Sequence, residues 1–197
     1  NRILATAERD AEEKRPKVDA VGERLMTYGT GTRVQAIAES ALTSTAAAEL
    51  AGCDVVFGCI DSIEGRELLN RVAVFYSVPY FDLGIQLRAD GAGSVETVCG
   101  SVHFLTPDGS SLLSRGVYTP QMLGAEALRR TDPERYAREV EEGYVRGVQV
   151  DAPAVISVNG FCAAMAVNEL LARLHPFRDA PNSNYRWQQF DIVNSYW

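Results

Sequence analysis

The chain is poor in the residues from which metal and redox sites are usually built. Its 197 residues include two histidines, His103 and His175, and four cysteines, Cys53, Cys59, Cys99 and Cys162. The histidines are isolated and no two cysteines form a C-x-x-C pair, so a zinc site of the usual soft ligands is not expected. A disulfide framework is disfavoured for the same reason, because stapled folds are short and dense in cysteine. The four thiols read as buried free cysteines of a reducing, cytoplasmic compartment. Positive charge is also scarce. Nineteen Lys and Arg stand against 26 Asp and Glu, a net charge of -7, whereas a nucleic-acid surface would be basic. No apolar run nears the roughly 20 residues of a membrane span, and no stretch reads as a signal peptide. Neither G-x-G-x-x-G nor Walker A occurs. Gly29-Thr30-Gly31 lacks the third glycine and follows a helical segment, so it reads as a helix C-cap and turn. No Ser-His-Asp set can be assembled, and His175 reads as a favourable charge at a helix C-terminus.

What is present is an ordinary globular composition, 46% hydrophobic and 23% charged, long enough for one domain with a sizeable core. Glu8 to Arg15 is a charged run, read as a solvated face or a loop. Pro16 opens a helix at its first turn, with Val18, Val21, Leu25 and Met26 as an apolar stripe; Tyr28 to Thr32 ends it. Arg33 to Ile37 alternates as a strand, and Thr45 to Gly52 reads as a short helix. Val55-Val56-Phe57 then reads as a buried parallel strand, Glu64 to Tyr76 as a helix and Pro79 to Ile85 as another strand. This rhythm predicts an α/β fold with a Rossmann-like, mostly parallel sheet and helices on both faces.

From Gly93 the rhythm turns antiparallel, with two β-like stretches at Glu96 to Val98 and Ser101 to Leu105. Leu123 to Arg130 and Pro133 to Tyr144 read as two short helices in a polar insertion. Pro153 to Leu174 reads as one long apolar helix. Tyr185, Trp187, Phe190 and Ile192 give the tail a strand-like pattern. The expected organisation is a domain over residues 1–178 and a tail, 179–197, packed on that domain or on a partner.

The most informative segment is Asp54 to Asn70, DVVFGCIDSIEGRELLN. Asp61 follows the end of a strand, and Arg66 and Asn70 stand four residues apart on one helix face. Open α/β sheets bind ligands outside the carboxyl ends of their strands. A carboxylate, a guanidinium and an amide are therefore expected to converge where a nucleotide would sit. In isolation, Asp61 and Arg66 read equally well as a structural ion pair.

Four ordered stretches place this segment in a wider pattern. Asn1-Arg2 looks like the end of an N-L-N-R turn, and Arg15-Pro16-Lys17-Val18 like G-x-P-K-V/A. GCIDSIEGRELLN is similar to C-T-D-N-x-x-x-R-x-x-L-N, and Val78-Pro79-Tyr80-Phe81-Asp82-Leu83-Gly84 to V-P-x-I-D-x-G. In order and spacing they resemble the ThiF/HesA/MoeB superfamily, the adenylating fold shared with ubiquitin-activating enzymes. The segment from Val155 to Leu174 is similar to that family's I-S-x-N-x-x-x-A-x-x-A-V-N-E-x-L.

The resemblance implies ATP and Mg²⁺ as cofactors and adenylation of the C-terminal carboxylate of a ubiquitin-like or sulfur-carrier β-grasp protein. It implies that Arg2 and Lys17 hold the triphosphate, that Asn1 contacts ribose or phosphate, and that Asp61 sits by Mg²⁺. Arg66 and Asn70 would orient Asp61 or the nucleotide. It also implies a homodimer, and a glycine-rich turn with two strands upstream of Asn1. Ser111 to Ser114 stands where many members carry a zinc-binding C-x-x-C, so no zinc is expected. No cysteine occurs between Ser114 and Val150, where some members form a thioester. The alternatives are a binding or scaffold module of the same fold and, more remotely, a nicotinamide-dependent oxidoreductase.

Overall fold

An apolar strand, a capped helix and a second apolar strand follow one another through Val56–Gly58, Ile63–Tyr76 and Tyr80–Ala89, as the sequence predicts. The structure, a computed structural model, describes residues 5–89, 94–145 and 155–196. Asn1, Arg2, Gly93, Pro153 and Trp197 lie outside them. The chain divides into two compact units, Asn1–Ala48 and Glu49–Trp197.

The first unit contains α1 (Glu8–Glu12), α2 (Lys17–Met26) and the start of α3 (Ser44–Ala51). The charged run is thus a short helix. Asp10 accepts a hydrogen bond from the Ala7 N–H at 2.7 Å and pairs with Arg15 at 3.0 Å, and Arg15 also reaches Glu23 at 2.8 Å. Pro16 is the N-cap residue of α2, where a missing N–H costs nothing. Gly29 and Gly31 both have positive φ, 65° and 74°, as a turn after a helix requires. The strand expected at Arg33 to Ile37 does not form; the segment is irregular. A strand needs a neighbour to satisfy its backbone, and the described residues of this unit offer none. Val34 instead packs beside α2, its Cγ1 3.5 Å from where a Cβ on Gly22 would stand. Ala36 meets the same place at 3.7 Å.

The second unit is built on a four-stranded sheet of order β1-β2-β3-β4, with β1 Val56–Gly58, β2 Tyr80–Ala89, β3 Val95–Leu105 and β4 Trp187–Asp191. β1 and β2 pair in parallel, joined through α4 (Ile63–Tyr76). β2–β3 and β3–β4 are antiparallel. The two β-like stretches expected after Gly93 are one continuous strand, because Gly100 keeps its place in the ladder opposite Ile85 and Phe190. The antiparallel part is followed by α5 (Pro120–Thr131), α6 (Pro133–Glu141) and α7 (Ile156–Leu174).

The period of two in β2 divides the core between the two faces of the sheet. Tyr80 joins Val56, Leu69, Ala73, Leu105, Leu112 and Tyr118 on the α4 side. Phe81 joins Val102, Phe104, Val158, Cys162, Ala166 and Phe190 on the α7 side. Tyr80 and Phe81 are both fully buried, each worth about 1.5–3 kcal/mol by the area it removes from water. The four cysteines do not share one environment. Cys53 and Cys59 are exposed, Cys99 is half-buried and Cys162 is buried. Burial pushes the Cys162 thiol up to about 11. The expectation of four buried thiols is corrected here: Cys53 and Cys59 lie just outside α3 and β1, where loops face solvent.

β4 ties the tail to the sheet, with Trp187 opposite His103 and Phe190 opposite Gly100. A buried ionic cluster fastens α7 to the same region. Glu169 is 1% exposed and pairs with Arg173 at 2.5 Å and with Arg178, and it accepts a hydrogen bond from Gln188 at 2.6 Å. The Arg173 guanidinium also stacks 3.6 Å over the Phe104 ring.

Candidate functional site

β1 ends at Gly58, and the chain turns through Cys59, Ile60 and Asp61 into α4. Ser62 is the N-cap of α4, its Oγ accepting from the Gly65 N–H at 3.2 Å. The turn is tight against the helix: a Cβ on Gly65 would come within 2.6 Å of Ile60 Cγ2 and 2.7 Å of Ser62 Oγ. Asp61 therefore sits at the carboxyl end of a parallel strand and beside a helix N-terminus. It is exposed and lines a cavity of about 1130 Å³ together with Arg66, Thr119, Glu126, Arg135 and Tyr144.

Arg66 projects from the first turns of α4 toward β2. Its Nε–H donates to the Ile60 carbonyl at 3.1 Å and its Nη2 to the Leu83 carbonyl at 3.3 Å. Its ion pair is with Asp82, 3.6 Å from Nε, not with Asp61. The structural pairing considered for Asp61 thus belongs to Asp82. Asp82 is fully buried and accepts from the Tyr80 hydroxyl at 2.7 Å. Burial raises its carboxyl above the usual carboxylate range, against the opposing pull of Arg66 and of the Tyr80 hydrogen bond. The Tyr80 hydroxyl is raised by burial and by the neighbouring Asp82 charge. Asp82 and Tyr80 are the site residues that sequence reasoning missed. The available signal was a carboxylate between Phe81 and Leu83 in the otherwise apolar stretch from Pro79 to Ile85.

Asn70 does not converge with Asp61 and Arg66. It is buried, and its Oδ1 accepts from the Leu112 N–H at 3.2 Å. One helical turn beyond Arg66, its side chain meets the turn at 111–116 instead of the cavity, and it fastens that turn to α4. Lys17 is the first residue of α2 in the first unit and is exposed.

The N-terminus of α4 already holds anionic and polar partners. Glu126, buried on α5, accepts from the Glu64 N–H at 2.6 Å, a favourable place for a negative charge. Glu64 in turn is gripped by Arg130 through two hydrogen bonds of 2.9 and 2.8 Å, which holds its carboxyl below the usual range. These contacts, with the 2.5 Å hydrogen bond from Tyr118 to Glu67, fix the polar insertion against α4. The geometry offers an exposed carboxylate, Asp61, on a loop held by a helix cap and lining a roomy cavity. Such a group can bind a hard cation or a polar ligand.

Among the described residues no helix is long and apolar enough to cross a membrane. A family model described as "ThiF family" matches residues 1–197. No curated protein matches the chain.

Proposed function

The chain belongs to the ThiF family, in general a family of E1-like adenylating enzymes, and from that premise we propose that it adenylates the C-terminal carboxylate of a ubiquitin-like or sulfur-carrier β-grasp protein with ATP. In that reaction a carboxylate oxygen attacks the α-phosphorus, an acyl-adenylate forms and pyrophosphate leaves. Little covalent help is required of the protein; positioning and electrostatics do most of the work. The observation that carries the reading is Asp61, exposed on the cavity at the carboxyl end of a parallel strand, with its loop tied to Arg66.

Asp61 fits Mg²⁺. It is a hard oxygen donor in reach of solvent, and Mg²⁺ favours one or two carboxylates with water and substrate phosphates completing its shell. Bound there, the ion would neutralise phosphate charge. Arg66 is engaged through Nε and Nη2 by two carbonyls and a carboxylate, and in this reading its part is to hold the loop. Asn70, one turn further along α4, fastens the turn at Leu112 to the same helix. Lys17, Arg2 and Asn1 as triphosphate and ribose ligands rest on the resemblance alone, as does the homodimer, and the cytoplasmic location rests on the reading of the free thiols. No zinc is assigned.

A second reading, a non-catalytic module of the same fold, is favoured by one observation. The first amides of α4 are already engaged by Ser62 and Glu126, so this helix end presents few free donors to a phosphate.

ATP–pyrophosphate exchange in the presence of candidate ubiquitin-like proteins decides between them. Exchange that falls by about 100-fold or more in Asp61→Ala is the expected result, the scale for losing one charge-stabilising group in a site. No carrier-dependent exchange at saturating ATP and Mg²⁺ would overturn the catalytic reading.

A further inference from the structure

The buried carboxylate of Asp82 has no place in the reaction described above, yet its setting is costly. It is fully buried; Oδ1 accepts one hydrogen bond, from Tyr80, and lies 3.6 Å from Arg66 Nε. Oδ2 is buried and has no hydrogen-bond partner among the described residues. A carboxylate so placed weakens a fold more often than it strengthens it, and an apolar side chain would suit the Tyr80 side of the core better. Stability alone does not account for it.

What the charge does is visible at Arg66. This guanidinium borders the large cavity and also a second one, of about 370 Å³, on the sheet beside Gly84 and Ser101. With openings on both sides it could turn to water. Three features hold it inward. The Ile60 and Leu83 carbonyls accept from it, Asp82 supplies the opposite charge, and Gly84 leaves the space, since a Cβ there would lie 2.9 Å from Nη2. Ile60 is the residue before Asp61. The loop is therefore held on one side by Arg66 and on the other by the Ser62 cap.

We propose that Asp82 is a positioning residue: it holds Arg66, and through the Ile60 carbonyl Arg66 sets the loop that presents Asp61. The functional meaning of this rests on the adenylating reading of Asp61, whereas the mechanical chain from Asp82 to the loop can be tested apart from it.

The test is amide hydrogen exchange on the folded chain, comparing wild type with Asp82→Asn. Asparagine keeps the shape and can still accept from Tyr80, but it lacks the charge. The amides of residues 59–62 are expected to exchange about tenfold faster, the scale of one lost charge-assisted contact, with β2 and the interior of α4 unchanged. In the pyrophosphate assay the Mg²⁺ concentration for half-maximal rate rises while the rate at saturating Mg²⁺ is largely kept. Unchanged exchange at residues 59–62 in folded Asp82→Asn would overturn the proposal. Should that variant not fold, Arg66→Lys serves instead. Lysine keeps the charge but cannot reach both carbonyls, and the same acceleration supports the proposal while its absence overturns it. A wild-type chain without pyrophosphate exchange removes the adenylating reading and leaves the hydrogen-exchange result to judge Asp82.

Discussion

His103 is buried on β3 between the Trp187 ring, 5.4 Å away, and the Arg115 guanidinium, 3.5 Å from Nδ1. Burial first, then the positive charge of Arg115, depress its pKa from 6.5 to about 4. The unfolded chain therefore binds this proton more readily between those two values. The stability contributed by neutral His103 is complete above pH 6.5 and is lost as the pH falls toward 4. Between pH 7 and pH 5 the loss is about 2 kcal/mol, at about 1.4 kcal/mol per pH unit once below the unfolded pKa. His103→Gln is expected to flatten that part of the stability profile, measured as urea midpoints at the two pH values. An equal slope in wild type and variant would show that other groups carry it. At this scale the sequence placed Asp61 after an apolar strand and before a capped helix, and the structure has it there. It did not reveal the partner of Arg66. Asp61 is five residues from Arg66 and Asp82 is sixteen, but sheet pairing puts Asp82 beside Gly58 and under the helix, and sequence distance carries no trace of that.

Helix α7 docks through Val158, Cys162 and Ala166 and through a buried charge, Glu169. The helix has only two charged residues, Glu169 and Arg173, and both turn inward to the cluster with Arg178 and Gln188. Removing the carboxylate leaves two guanidinium groups without their shared partner. Glu169→Ala is expected to cost about 3–5 kcal/mol, the usual result of breaking a buried pair from one side, by denaturant titration. Hydrogen exchange should show the β4 amides losing protection first, since Gln188 is held from the same carboxylate. A loss below about 1 kcal/mol, the scale of an exposed pair, would mean the cluster is solvated. The helix itself was plain in the sequence from its apolar length and small residues. The strand expected at Arg33 to Ile37 was not sound, because two apolar residues, Val34 and Ile37, do not specify a ladder without a partner strand. β3 appeared as two pieces because Gly100 interrupts the pattern, although its missing side chain serves packing: a Cβ there would stand 2.6 Å from the Phe190 ring.

Across the whole molecule, burial is uneven. The second unit holds both apolar clusters, whereas the first buries Ala20, Gly22 and Ala46 among its described residues. Local stability follows buried apolar contact, so amides in α1 and α2 are expected to exchange before those of β2, β3 and α4, at a rate insensitive to Glu169→Ala. Equal protection in both units would contradict this. The order of strand, carboxylate, capped helix and second strand, and the matching spacing of four motifs, were determined by the sequence alone. So was the α/β class, because hydrophobic period and capping residues are local properties that neighbours along the chain decide. Only the tertiary structure decided that Arg66 answers to Asp82, that Asn70 holds a turn and that Glu126 sits on the α4 amides. Those partners come from separate elements, and a side chain's charge and hydrogen bonds are satisfied by whatever the packed sheet brings within about 3 Å, which no local pattern records.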